Sequence, residues 1–158
     1  MGTLIVGYLD FNNASTCNDL LKAVLNLKNN RSLYFQLDFK SNFYFKIING
    51  PISPDGGWYI ILNDGKPIYV GQAENLNRRL NSNNGSLDNY AHKTRKFDSE
   101  RNFIKKVIEI RVITNTKVFI IPDPILCGEM CINPGNLLKI DRDNIEKLLN
   151  IFRGILFP

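Results

Sequence analysis

The sequence contains few residues that could cross-link a small domain. It has only three cysteines, an odd number without framework spacing, and one histidine, His92, in 158 residues. Disulfide scaffolds use even numbers of cysteines, and a structural zinc site needs four ligands. We therefore expect Cys17, Cys127 and Cys131 to be buried free thiols in a reducing compartment, without a disulfide framework or a zinc site.

Long apolar runs are also missing. Apolar runs such as Val118–Ile121 are far shorter than the roughly 20 residues of a membrane span. The start, MGTLIVGYLDF, lacks the basic region and cleavage site of a signal peptide. The apolar share of 44% is that of an ordinary globular protein. We expect a folded cytoplasmic protein that does not enter a membrane.

The net charge of +5 is concentrated in one segment. Residues 78–106 contain eight basic and three acidic side chains, so this segment alone nets +5 and the rest of the chain sums to zero. A basic patch of this kind is expected of a surface that binds phosphates, although a solvated helix face gives the same pattern. The candidate DNA contacts in this segment are Arg78, His92, Lys93, Arg95 and Lys96.

Residues 1–50 are predicted to form an N-terminal α/β extension, a candidate DNA-contact or dimer surface. Its predicted elements are a strand over 3–10, a helix over Cys17–Leu27 and a strand pair over Leu33–Ile48. The Gly- and Pro-containing stretch Asn49–Gly57 is the candidate boundary before a second unit, residues 51–158.

The clearest local element is a hairpin that opens this second unit. Two apolar runs, Trp58–Leu62 and Ile68–Gly71, flank Asp64-Gly65, a dipeptide typical of tight hairpin turns with positive φ. Because side chains alternate along a strand, Tyr59 and Tyr69 are expected on one face of the sheet if the register aligns them.

Helices and one further strand are predicted after the hairpin. The first helix, about Glu74–Asn83, has Arg79 on its apolar stripe and Arg78 toward solvent. A second helix is predicted over Ser99–Ile113, and a buried strand over Lys117–Ile121. A short helix follows, capped by Asp123, and the last helix runs from about Asn144, with Asp143 and Glu146 at capping-box spacing.

The hairpin and its helix carry a recognisable pattern. It consists of Gly57-Trp58-Tyr59, then Tyr69-Val70-Gly71 ten residues later, then Arg79 after ten more. This resembles the GIY-YIG nucleases, closely over residues 57–80 and in outline beyond. The resemblance implies an α+β fold, a small antiparallel sheet of hairpin plus central strand flanked by helices. It also implies a DNA endonuclease.

In the family, as the resemblance implies, the first-motif tyrosine activates water, the helix arginine binds phosphate and a glutamate holds one divalent metal. These catalytic roles fall here to Tyr59, Arg79 and Glu129, with Tyr69 orienting water or phosphate. Glu129 is the predicted ligand of Mg²⁺ or Mn²⁺, because it precedes an apolar helical turn, an Asn and a Pro, much as the resemblance implies for the family's glutamate. Glu146 is the rival. The family's frequent histidine four residues after the arginine is Asn83 here.

Three functions remain open from the sequence. The first is a restriction or phage-type endonuclease that cuts double-stranded DNA, for which a palindromic target would require a homodimer or two nicks. The second is a DNA-binding module that kept the fold and lost cleavage. The third is a protein-interaction domain whose N-terminal strands recruit a partner.

Overall fold

A computed structural model describes residues 3–40, 44–47, 50–81 and 116–158. In chain order the elements are helix α1 (Ala14–Leu27), strands β1 (Tyr34–Lys40), β2 (Tyr44–Ile47), β3 (Gly57–Asn63) and β4 (Lys66–Ala73), helix α2 (Leu76–Asn81), strand β5 (Thr116–Pro122), and helices α3 (Asp123–Met130) and α4 (Lys139–Leu156). Short 3₁₀ turns lie at Arg31–Leu33 and Pro134–Asn136. The predicted helix over Ser99–Ile113 falls outside the described residues.

The five strands form one antiparallel sheet in the order β2-β1-β5-β3-β4. The predicted α+β fold, with a small antiparallel sheet flanked by helices, is therefore present. Besides the hairpin and the central strand β5, the sheet contains β1, whose Tyr34 pairs with Phe119 of β5. Strand β1 belongs to the predicted extension, so residues 1–50 and 51–158 contribute strands to the same sheet.

The β3–β4 hairpin forms as predicted. Its turn residues Asp64 and Gly65 have φ values of 51° and 79°, the left-handed conformation that a tight hairpin turn of this twist requires. Strand β3 lies between β4 and β5, and its residues Trp58, Ile60 and Ile61 have no exposed surface. The hairpin is thus part of the central core.

Helix α4 covers the face of the sheet that contains Trp58. The indole Nε1 of Trp58 donates to the carbonyl of Arg142 at 3.1 Å, and Gln72, which pairs with Trp58, donates to Asp143 at 3.0 Å. Strand alternation puts Tyr59 on the opposite face. Among the described residues, no helix is long and apolar enough to cross a membrane.

One prediction near the N terminus was wrong. Residues 3–10 form no strand, because their backbone donors are taken by side chains: Tyr8 and Leu9 donate to the carboxylate of Asp141 at 3.0 and 2.9 Å. Asp141 is completely buried and also accepts from Leu138 at 2.8 Å. This carboxylate therefore fixes the N-terminal segment to the first turn of α4.

The start of α4 differs from the prediction for the same reason. The helix begins at Lys139, five residues before the predicted start, because Asp141 satisfies the free N–H of Leu138. Asp143 and Glu146 therefore do not form its capping box.

The predicted free thiols are present, but only Cys127 is buried; Cys131 is exposed, at the left-handed end of α3.

Candidate active site

Tyr59 and Tyr69 lie side by side on one face of the hairpin. Tyr59 pairs with Gly71 and Tyr69 with Ile61, so the two tyrosines are diagonal neighbours across β3 and β4. Their ring centroids are 6.0 Å apart, with the planes inclined by 36°. The prediction that both phenols share one sheet face is confirmed.

Gly71 provides the space that the ring of Tyr59 occupies. A Cβ atom at Gly71 would overlap the Cζ and Oη atoms of Tyr59. Tyr59 has no exposed surface, whereas Tyr69 is only partly buried. The glycine therefore allows one phenol to lie flat against the strand, and the other phenol is the one nearer to solvent.

Helix α2 presents the two arginines as the apolar stripe predicts. Leu76 and Leu80 are buried, Arg79 between them is partly buried, and Arg78 is exposed. The helix begins at Leu76, two residues after the predicted start, where the Leu76 N–H donates to the carbonyl of Asp55 at 3.0 Å. The side chain of Arg79 therefore lies on α2 at the edge of the core. Its convergence with the two phenols stays a prediction.

Glu129 lies in the last turn of α3, the helix that directly follows the central strand β5. Its side chain is exposed and, within the described ranges, has no hydrogen-bond or ion-pair partner. The rival ligand Glu146 is partly buried in α4 and has an interaction partner. Of the two carboxylates, only Glu129 is available to a cation without breaking a contact.

The start of α3 is held by an ion pair that the sequence did not predict. Arg142 donates to Asp123 Oδ2 through Nε at 3.0 Å and Nη2 at 2.7 Å. The Asp123 N–H donates to the carbonyl of Gly56 at 2.8 Å, beside the hairpin. The predicted capping role of Asp123 was wrong, since its side chain makes no cap hydrogen bond and Pro122 precedes the helix. The partners are far apart in sequence, so no local pattern could reveal the pair.

This ion pair also affects the thiol one turn further along α3. Burial is the main cause that raises the pKa of Cys127 to about 11; the Asp123 carboxylate adds to this rise and the Arg142 cation opposes it. The thiol of Cys127 is therefore protonated at neutral pH and serves as a small apolar core residue rather than a nucleophile.

Most of the predicted DNA-contact segment lies outside the described residues. This holds for His92, Lys93, Arg95 and Lys96, whereas Arg78 is described and exposed. The contact role of all five residues stays a prediction.

A family model for the GIY-YIG catalytic domain matches residues 55–118. The matched range contains both tyrosines and Arg79, on the elements described above. The match supports a GIY-YIG nuclease assignment for this domain. A domain of this family indicates nuclease activity in general and implies DNA as the substrate. No curated protein and no solved structure matches the chain.

The match to the GIY-YIG model ends at Val118, before Glu129. The assignment of Glu129 therefore rests on the sequence and on its position in the fold. GIY-YIG nucleases generally depend on a divalent metal. The described residues contain no group of three or more His, Cys, Asp or Glu side chains that would form a complete metal site.

A single exposed carboxylate nevertheless fits an ion of this kind. Mg²⁺ commonly binds through one or two carboxylates, with its remaining positions occupied by water and by substrate phosphate oxygens. Glu129 supplies one such oxygen donor without an existing partner in the described part of the chain. Glu129 therefore fits a metal site whose remaining ligands would be water and the phosphate oxygens of bound DNA.

Proposed function

We propose that this chain is an endonuclease that hydrolyses phosphodiester bonds of double-stranded DNA with one divalent cation, Mg²⁺ or Mn²⁺. The observation that carries the proposal is the pair of adjacent phenols, Tyr59 and Tyr69, in the matched catalytic domain. We further propose a stand-alone restriction or phage-type role, supported by the 50-residue extension, whose β1 adds to the sheet and whose surface is available for base contacts or a homodimer.

In the proposed reaction Arg79 binds the scissile phosphate. A guanidinium offers several N–H donors in a planar fork and stays charged at any working pH, so it can neutralise charge that develops on the phosphate oxygens. The cation held by Glu129 would stabilise the leaving oxygen. The chain's own contribution is to fix Glu129 on α3, whose first turn the Asp123–Arg142 pair ties to α4.

The two phenols differ in their exposure to solvent. The family resemblance assigns water activation to Tyr59, yet Tyr59 has no exposed surface while Tyr69 has some. A general base must come within hydrogen-bond reach of the proton it accepts. The difference in exposure favours Tyr69 as the phenol that contacts the attacking water, with Tyr59 packed behind it.

Single-turnover cleavage of a supercoiled plasmid tests these roles. Phe in place of either tyrosine removes one hydroxyl and keeps the ring. We expect Tyr69→Phe to lower the cleavage rate by about 10²-fold or more, the scale of lost general-base catalysis. We expect a smaller loss for Tyr59→Phe. A larger loss for Tyr59→Phe would return the base role to Tyr59.

The metal ligand is tested with matched glutamine variants in the same assay. We expect Glu129→Gln to abolish cleavage in Mg²⁺ and in Mn²⁺ while DNA binding and unfolding are unchanged, because the amide keeps the size and loses the charge that a hard cation prefers. Glu146→Gln is the control and should cleave. Glu100→Gln and Glu109→Gln are also measured, because both glutamates lie within residues 55–118, which the family model matches.

The outcomes of this series separate the candidate functions. Loss of cleavage in another variant of the set, with Glu129→Gln active, would move the ligand to that residue. No cleavage by the unaltered chain, with salt-dependent DNA binding retained, would identify a binding module. Absence of both activities would leave a protein-interaction domain.

The basic segment is tested by binding rather than by cleavage. Replacing its central cations by Gln should weaken DNA binding and lower the slope of log K against log salt by about one per lost phosphate contact. The residues to replace are Lys93, Arg95 and Lys96. Unchanged affinity and slope would show that they form only a solvated surface.

A further inference from the structure

A groove of about 710 Å³ lies at the end of the sheet, away from the two phenols. Its floor contains one cross-strand row, Gln36 of β1, Lys117 of β5 and Leu62 of β3. Alternation along β3 puts Leu62 on the face of Trp58, opposite Tyr59. Helix α4 ends at Leu156, so it leaves this part of the face uncovered. The groove is therefore separate from the candidate active site.

The groove is positively charged. Arg31 and Lys117 both line it and are exposed. Within the described ranges neither side chain forms an ion pair, and no carboxylate lines the groove. The Lys28 ammonium lies nearby, 5.5 Å from the ring centroid of Phe157, where it also donates to the carbonyl of Leu156 at 2.6 Å. Two unpaired cations on one concave surface favour an anionic ligand.

The same groove has an ordered aromatic wall. Tyr34 and Phe157 line it, and both are only partly buried. One face of Tyr34 stacks on Phe119 at 4.9 Å, and its hydroxyl donates to the carbonyl of Lys28 at 2.6 Å. Phe157 packs edge-on against Phe119 at 5.9 Å. The two rings are held in place before any ligand binds, so a planar ligand would not have to order them.

We propose that this groove binds a nucleotide, with the phosphate on Arg31 and Lys117 and the base against Tyr34 and Phe157. Cations beside aromatic rings are the combination by which proteins bind single-stranded nucleic acid without sequence preference. The volume is within the range of small-molecule sites, which is about 300–1,000 Å³. The nucleotide has two sources, a free nucleotide or one residue of an unpaired strand.

Photo-crosslinking identifies the ligand and its location in one measurement. The full chain in EDTA is irradiated with 5-iododeoxyuridine 5′-monophosphate, or with an oligothymidylate that carries one 5-iododeoxyuridine, and the modified peptides are mapped by mass spectrometry. We expect modification at Tyr34 or Phe157. Labelling by both probes identifies a groove that also takes free nucleotides, and labelling by the oligonucleotide alone identifies a strand site.

The matched variants test the phosphate contact. We expect Arg31→Gln/Lys117→Gln to lower groove labelling about fivefold or more, because two phosphate-binding cations are lost. The control Lys22→Gln/Lys147→Gln removes the same charge from exposed positions outside the groove and should label normally. The proposal is overturned by labelling confined to other residues, by equal loss in both double variants, or by equal labelling with 5-iododeoxyuridine that lacks phosphate. Cleavage is not measured, so the result is independent of the proposed nuclease activity.

Discussion

Adding one methyl group at Gly71 tests whether the hairpin fixes the position of Tyr59. In Gly71→Ala the new Cβ overlaps the end of the Tyr59 ring. The ring is completely buried and lies 6.0 Å from that of Tyr69, so it has little room to move away. Overpacking of a well-packed core typically costs about 1–3 kcal/mol, and we expect a loss in this range. Cleavage should fall as well, because the phenol pair is displaced.

Urea unfolding of a double-mutant cycle measures this contact directly. Tyr59→Leu removes the overlapping atoms, so the cost of Gly71→Ala should be about 1 kcal/mol or more smaller in that background. Gly154→Ala in α4 is the matched control: its Cβ meets nothing within 4 Å, and a helical Gly→Ala change stabilises by about 0.5–1 kcal/mol. Equal costs of Gly71→Ala with and without the Tyr59 ring would refute the reasoning.

Two further predictions concern ionisable groups. The hydrogen bond from Gln72 is the main cause that lowers the pKa of Asp143 below the ordinary aspartate value of 3.8. Its stabilising effect is therefore present above that pH and is lost as the pH falls through the lowered pKa. Gln72→Leu should therefore reduce the free energy of unfolding more at pH 7 than at pH 3, and an equal reduction at both would show that the Asp143 charge is not involved. Iodoacetamide should label exposed Cys131 and not Cys127 in the native protein, because Cys127 is buried and its pKa is raised to about 11; native labelling of Cys127 would contradict that burial.

Elements with strong local signals were predicted correctly from the sequence. The Asp64-Gly65 turn and the alternating strands beside it determine the hairpin, and the register that follows brings Tyr59 and Tyr69 together. The spacing of Leu76 and Leu80 likewise placed Arg79 on the partly buried side of its helix. Both signals act over fewer than about ten residues, the range over which periodicity is informative.

The predictions that failed depended on contacts between distant residues. Residues 3–10 have the apolar content of a strand, but their backbone bonds to Asp141 of α4 instead of to a neighbouring strand. Asp123 has the local position of a helix cap, but Arg142 takes its carboxylate. In both cases a charged group from another element outcompeted the local preference, which propensity alone cannot reveal.

The order of strands in the sheet has a consequence for how the chain folds during synthesis. Strands β1 and β2, and then β3 and β4, are adjacent in sequence and can pair soon after they leave the ribosome, whereas β5 is made last and lies between the two hairpins. Until residues 116–122 emerge, Tyr34 of β1 and Ile60 of β3 lack Phe119, the residue of β5 that pairs with both. Closing the sheet by inserting its central strand late is a non-local step, and such steps slow folding. A nascent chain that stops before β5 should therefore hold two separate hairpins and no assembled nuclease core.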